Sequence, residues 1–303
     1  MSIARVSDTV VTVATSTDRS TAGLIRAALS LGDYHRIMND LYEEVFGEHQ
    51  MVHFPYYVRT DETLLEGQAN LTNVCLDYLG NLTGSDVLEV GCGNGVQSMF
   101  VANTRSPRSV TGLDLNPANV ALADRIATGK ALSNTFFLAS DAQDMKELAD
   151  ESFDAVLNVE SAFHYPDKPA FLREVARVLK PGGRFVMADI LMKPNRRGRL
   201  LRMWERRLSQ NYWFPDSYRD AFARTELTIE HEADITAAVV KGFKNRRGWF
   251  RDHPLQGPVR RTLIMTFMRA QVARHLYYLK NVCTYHIFSA VKTTETNDRT
   301  ETS

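Results

Sequence analysis

The chain has 303 residues, with 36 Lys and Arg against 36 Asp and Glu and a 44% hydrophobic fraction, enough to bury a sizeable core as one large domain or a core with a cap. Zero formal net charge argues against a nucleic-acid or membrane-surface binder, no window nears the roughly 20 apolar residues of a membrane span, and "VVTVAT" after Asp8 is too short for a secretory signal. Cys75, Cys92 and Cys283 are too far apart for a metal pair or a disulfide framework, so the expectation is a soluble protein of the reducing cytoplasm.

Residues 1–21, rich in Ser, Thr and small side chains, read as a flexible N-terminus. Residues 22–81 read as a helical region. "AGLIRAALSL" comes first, followed by "YHRIMNDLYEEVF", with Asp33 as its cap and Gly47 as its stop. Tyr34, Ile37, Met38, Leu41, Tyr42 and Val45 share one face of that helix at spacings of three and four. This region closes over a site, packs on another subunit of a homo-oligomer, or packs on its own core. "ETLLEGQANLTNVCLDYLG" (62–80) is a further helix, ended by Gly80.

A regular alternation then begins. The predicted strands are 86–90, 109–115, 134–140, 153–160 and 184–190. Helical stretches separate them: "GVQSMFVAN", "NPANVALADRIAT", "QDMKEL" and "KPAFLREVARVL". Near-continuous apolar strands alternating with helices predict an α/β fold with a parallel sheet covered on both faces. After Ile190 the rhythm changes to basic, aromatic helix, a sixth strand at 227–235, the long helix "PVRRTLIMTFMRAQVARHLYYLKN" and a last alternating strand at 284–292. The expected layout is a core over 82–292 with cap insertions at about 193–225 and 240–281, and a flexible tail over 293–303. From Arg184 onward there are 22 Lys and Arg against 12 Asp and Glu. That excess reads as solvated surface or as a cap that attracts an anionic acceptor or partner.

The first strand runs into a glycine loop, "VLEVGCGNG" (87–95). In a doubly wound sheet, ligands sit beyond the carboxyl ends of the strands, near the first one. A dinucleotide site wants G-x-G-x-x-G, but here the third glycine comes one residue early and Val96 follows it. Asp114, ending the second strand, suits both hydroxyls of a ribose, and Leu115 suits a purine face. Asp141 in "ASDAQDM" can accept from an adenine amino group, and the Ala142 amide can reach a ring nitrogen. "NVESAFHYPD" and "LKPGGRFVMAD" follow the next strands in order.

With those residues in place, the stretch 64–192 resembles the class I S-adenosylmethionine-dependent methyltransferases. The resemblance implies a seven-stranded Rossmann-like sheet of order 3-2-1-4-5-7-6 with an antiparallel last strand. It implies S-adenosyl-L-methionine as cofactor, with Gly91, Gly93 and Gly95 in its loop, Glu89 ordering that loop, Asp114 on the ribose and Asp141 on the adenine. Tyr57, Gln68, Cys92, Leu115, Ala142 and Asn158 complete the expected cofactor set. The segment is similar to the sterol, tocopherol, sugar and lipid or polyketide subgroup, in which an acid at the place of Glu160 and a histidine at or beside His164 recur.

Methyl transfer from a sulfonium needs the acceptor held at attack distance and water excluded, with a base only if the acceptor loses a proton. Glu160, His164 and Tyr165 are the catalytic candidates. Phe54, Phe163, Asp189, Tyr212, Trp213 and Phe214 are the expected acceptor pocket, with Tyr56 beside them. Aromatic faces around an acid suit C-methylation of an isoprenoid alkene, whose carbocation the rings would stabilise before it loses a proton or cyclises. The alternatives are O-methylation of a sugar, polyketide or phenol with His164 as base, and a cofactor-binding subunit without turnover. The expected partner is a small, apolar acceptor, with no nucleic acid and no membrane. His49 and His53 have the spacing of helical zinc ligands, but Gln50 stands where a zinc hydrolase needs Glu, and no metal is expected. "GNG" and "PGG" are not nucleophile elbows.

Overall fold

The computed structural model describes residues 31–59, 61–194, 210–244 and 258–293. The predicted helix before residue 31, much of the basic cap at 193–225, part of the cap at 240–281 and the tail from 294 lie outside the described residues.

The chain begins with α1 (Leu31–Phe46) and α2 (Leu64–Leu79). α1 is already helical at Leu31, so Asp33 lies within the helix rather than capping it. α2 opens on a capping box, in which the Thr63 side chain accepts from the Glu66 amide and the Glu66 carboxylate accepts from the Thr63 amide. The alternation that follows is β1 (Asp86–Val90), α3 (Val96–Arg105), β2 (Ser109–Asp114), α4 (Pro117–Gly129), β3 (Thr135–Ala139), β4 (Phe153–Val159), α5 (Lys168–Val178) and β5 (Leu179–Met192). The C-terminal third adds α6 (Pro215–Phe222), β6 (Leu227–Asp234), α7 (Thr236–Lys244), α8 (Pro258–Asn281) and β7 (Cys283–Lys292).

One seven-stranded sheet has the order β3-β2-β1-β4-β5-β7-β6, and β7 runs antiparallel to both β5 and β6. The expected order and the antiparallel last strand are therefore observed. Alternation along β5 divides the core between the two faces. Val186, Ala188, Ile190 and Met192 join α2 and Tyr285 on one side, while Phe185, Met187 and Leu191 join α5 and α6 on the other. A third cluster packs Met38, Leu41 and Val45 of α1 against Ile264, Met265 and Met268 of α8. The predicted inward stripe of α1 is thus spent on α8. No helix among the described residues is long and apolar enough to cross a membrane.

Two local expectations are corrected. "QDMKEL" (143–148) is not a helix. The Asp141 carboxylate takes both the backbone and side-chain donors of Gln143, at 2.9 Å each, and the Met145 amide donates to Glu174 at 2.7 Å. Side chains there outcompete the helical carbonyls. The fifth strand, expected over 184–190, starts earlier, because β5 already pairs at Leu179 and takes up the extra residues as a shift of register between Phe153 and Ala155.

Candidate functional site

The carboxyl ends of β1, β2 and β4 meet at the glycine loop. Gly91, Gly93 and Gly95 have φ of +77°, +55° and +74°, a region that side chains other than glycine enter at a cost of about 1–2 kcal/mol. Three different surroundings explain them. A Cβ on Gly91 would lie 2.3 Å from Ser161 Oγ and 2.9 Å from the Tyr165 hydroxyl. On Gly95 it would lie 2.7 Å from both Ala123 and the Phe137 ring. On Gly93 its nearest neighbour is Val52, at 3.7 Å. Protein therefore packs close against Gly91 and Gly95, Gly93 would accept a Cβ in ordinary contact, and both Gly91 and Gly93 line a cleft.

This small cleft opens at the loop, lined among others by Val52, His53, Glu89, Gly91, Gly93 and Gln97. Glu89 is buried, and burial lifts its carboxyl to about pH 8 against a hydrogen bond from the Ser98 hydroxyl. Asp114 accepts from the Gly93 amide at 3.0 Å, from the Asn116 amide at 2.8 Å and from Asn119 Nδ2 at 3.1 Å. It therefore fixes the loop from the second strand. Leu115 beside it is 71% exposed, an apolar surface with nothing packed over most of it. Asp141 is half-buried and Ala142 buried at the end of β3. The Cys92 thiol is buried and pushed well above its usual range, so it acts as a small apolar wall.

Tyr57 is wedged between two glycines. A Cβ on Gly67 would lie 2.3 Å from its ring, and one on Gly242 2.5 Å. Gln68 Nε2 donates to the carbonyls of Met51 and, at 2.8 Å, His53. Gln68 therefore holds the segment that walls the cleft. A bare Gly93, a carboxylate at the end of β2, an exposed Leu115 and a buried acid under the loop fit an adenosine that carries a cationic side chain. Gly93, Asp114, Leu115 and Asp141 are the residues that would hold it.

The end of β4 carries the chemistry candidates. Asn158 is fully buried, and its Nδ2 lies 2.9 Å from the Val90 carbonyl, 2.6 Å from Ser161 Oγ and 3.1 Å from the Tyr165 hydroxyl. This cluster ties β4 to β1 beneath Gly91, and it occupies the Tyr165 hydroxyl. Strict alternation would send Glu160 to the face of Asn158. Instead Glu160 has φ +48°, and its Oε1 accepts from the Phe54 amide at 2.5 Å and the Tyr285 hydroxyl at 2.8 Å on the opposite face. Backbone held in this region costs on the order of 1–3 kcal/mol and clusters at functional positions. Burial lifts the Glu160 carboxyl to about pH 8.

His164 closes a single 3-10 turn, Ala162–His164, with its ring 4.2 Å from that of Phe163. Phe163 stacks on Tyr212 at 5.5 Å. Phe54, Phe163, Tyr212 and Phe214 fall on the Glu160 face with Tyr56. Asp189 and Trp213 do not. Asp189 accepts from the Tyr218 hydroxyl at 2.7 Å, and Trp213 packs 5.2 Å from the Tyr218 ring, in the core between the sheet, α5 and α6. Buried Lys168 sits 5.4 Å over Trp213 and donates to the carbonyls of Tyr165 at 3.0 Å and Asn211 at 2.6 Å. Burial raises Asp189 to about 6 and lowers Lys168 to about 8.

Sequence reasoning missed Tyr285, which reaches Glu160 from β7, and His275 of α8, whose ring lies 4.9 Å from Phe54. "TYHIFSAVK" alternates as a strand should, but nothing local ties it to a residue 125 positions earlier.

The comparisons agree with this geometry. A phthiotriol/phenolphthiotriol dimycocerosates methyltransferase 2, described as probable, from Mycobacterium ulcerans (strain Agy99) is 46% identical over 110 residues, 36% of this chain and 41% of that one. A fatty-acid O-methyltransferase of Mycolicibacterium smegmatis is 46% identical over 109 residues, 36% of this chain and 38% of that one. The matched region thus spans less than half the length of either relative. The crystal structure of geranyl diphosphate C-methyltransferase from Streptomyces coelicolor A3(2), in complex with Mg2+, geranyl diphosphate and S-adenosyl-L-homocysteine, shares the fold. Its TM-score is 0.65 at 17% identity, over 87% of this chain and 97% of that one. A family model described as a methyltransferase domain matches residues 82–239, just over half of the chain. The chain therefore belongs to the methyltransferase domain family.

Proposed function

We propose that the protein methylates a small apolar natural-product acceptor, at a carbon of an isoprenoid alkene. The observation that carries this reading is Glu160. A strained backbone turns its carboxyl away from the β4 parity and into a wall made by Phe54 and Tyr285, whose rings are 6.2 Å apart. The cofactor supplies an already activated methyl group. The chain must then position the acceptor, exclude water and handle one proton.

Methylation of an alkene leaves a carbocation. Aromatic faces stabilise such a charge by about 1–2 kcal/mol each when desolvated. The same positive charge favours the ionised form of Glu160, which can take the proton that ends the cation. Tyr285 and the Phe54 amide hold its Oε1 in place meanwhile.

O-methylation is the second reading, favoured by the relative named a fatty-acid O-methyltransferase. There His164, half-buried at the turn after β4, would be the base. The experiment is incubation with methyl-labelled S-adenosyl-L-methionine and a panel of geranylated indoles, phenols and fatty acids, with fragmentation by mass spectrometry. Label on an alkene-derived carbon is the expected result. Label placed on oxygen, as a methyl ether located by fragmentation or a methyl ester released by mild alkali, would replace it with the second reading. Binding of S-adenosyl-L-homocysteine with no transfer to any acceptor would point to a subunit without turnover.

A further inference from the structure

His53 was notable in the sequence only for its spacing from His49. In the fold it is 7% exposed and lines the cofactor cleft beside Gly93 and Gln97. Its Nδ1 lies 3.0 Å from the Phe54 carbonyl. A carbonyl can only accept, so Nδ1 carries the hydrogen; burial keeps the ring neutral, which leaves Nε2 as the acceptor. Nε2 then faces the Thr72 hydroxyl of α2 at 3.3 Å, a hydroxyl that also lies 3.2 Å from the Gln68 carbonyl and accepts from Gln97 Nε2 of α3 at 2.8 Å. The other side of the Phe54 residue completes the path, because its amide donates to Glu160 at 2.5 Å. Both backbone groups of Phe54 are thus assigned, one to His53 and one to Glu160.

We infer that His53 is a positioning residue: anchored by Thr72 and Gln97 at the cofactor cleft, it sets the Phe54 backbone that orients the Glu160 carboxyl. The inference rests on the reading of Glu160 given above. Burial holds the His53 ring neutral down to about pH 4 against the hydrogen bond to the Phe54 carbonyl, so the link persists across the working range. The other groups that act on Glu160 are Tyr285 on β7 and Cys75 on α2, which share its face, and Asp189 on β5, whose charge reaches it from the other face of the sheet. None of them belongs to the His53 path.

The test reads Glu160 directly. In protein labelled with carboxyl-13C glutamate, its resonance is identified by its loss in Glu160→Gln, and its midpoint in the wild type is expected near 8. His53→Ala removes the anchor of a donor that stabilises the carboxylate, so the midpoint moves up by about one pH unit, a tenfold change in proton affinity. His53→Asn, whose Nδ2 replaces the Nδ1 donor, restores the wild-type value. Thr72→Val, close in shape, gives a smaller shift of the same sign and covers the case in which His53→Ala does not fold. 15N spectra of labelled histidine should show His53 neutral and protonated on Nδ1 from pH 5 to 8.

An unmoved midpoint in His53→Ala, failure of Asn to restore it, or an Nε2-protonated ring would overturn the inference while leaving Glu160 in its role. An ordinary carboxylate midpoint for Glu160 in the wild type would instead mean that the carboxyl is not buried against Phe54 and Tyr285, the geometry that carries the functional reading.

Discussion

Gly91→Ala and Gly93→Ala should separate packing from ligand binding within one loop. Both residues have positive φ, +77° and +55°, so each alanine carries a backbone penalty of about 1–2 kcal/mol. At Gly93 that is the whole effect, because the added methyl would be 3.7 Å from Val52. At Gly91 the methyl would stand 2.3 Å from Ser161 Oγ and 2.5 Å from Ser161 Cβ, and such overpacking adds about 1–3 kcal/mol. Gly91→Ala should therefore lose about 2–5 kcal/mol in urea unfolding, and Gly93→Ala about 1–2 kcal/mol. Calorimetric titration with S-adenosyl-L-homocysteine should show the reverse order once both proteins are folded. Gly93→Ala puts a methyl on the open floor of the cleft and should weaken binding by at least about tenfold, equivalent to 1.4 kcal/mol. Ser161→Gly in the Gly91→Ala background removes the nearest obstruction and should recover part of the lost stability, a coupling visible in a double-mutant cycle. Equal stabilities for the two alanine variants, or no recovery with Ser161→Gly, would refute the assignment of Gly91 to packing.

Glu89 and Glu160 have folded-state pKa values raised from 4.5 to about 8. Between those values the folded protein binds more protons than the unfolded chain, so stability should fall as pH rises from about 5 to 8 and level off above it. Urea titrations of Glu89→Gln and Glu160→Gln should each show a flatter slope, and an unchanged slope in both would count against burial as the cause. Asp114→Asn weakens the acceptor for the Gly93 amide and should reduce S-adenosyl-L-homocysteine affinity by about 10–100-fold, from the 1.5–3 kcal/mol of a charge-assisted hydrogen bond; unchanged affinity by calorimetry would remove Asp114 from the site. Lys168→Met leaves the Tyr165 and Asn211 carbonyls without their ammonium donor and should destabilise by about 2–3 kcal/mol in thermal unfolding, whereas a gain in stability would mean that burying the charge outweighs both bonds.

The sequence by itself determined the architecture from Asp86 to Met192. Strand and helix signals there are local, set by residues within a few positions of one another, and the glycine loop and Asp114 declare themselves at strand ends. The structure extends that reading at the loop, where the groups that pack against Gly91 and Gly95 come from distant segments (Ser161, Tyr165, Ala123 and Phe137). The side on which Asp189 falls was not legible either. "FVMADI" is apolar on both faces, since the sheet is covered on both, so it carries no alternation from which a face could be read. The register with β4 and β7 decided it, and sent Asp189 to Tyr218 rather than to Glu160. Glu160 itself could be singled out as an acid at the end of a strand, but its left-handed backbone and its bonds to Phe54 and Tyr285 span 106 and 125 positions. Periodicity records which face a segment buries; which distant group meets it there is fixed only when the sheet closes and brings α2, the 51–54 segment and β7 to the same end of β4.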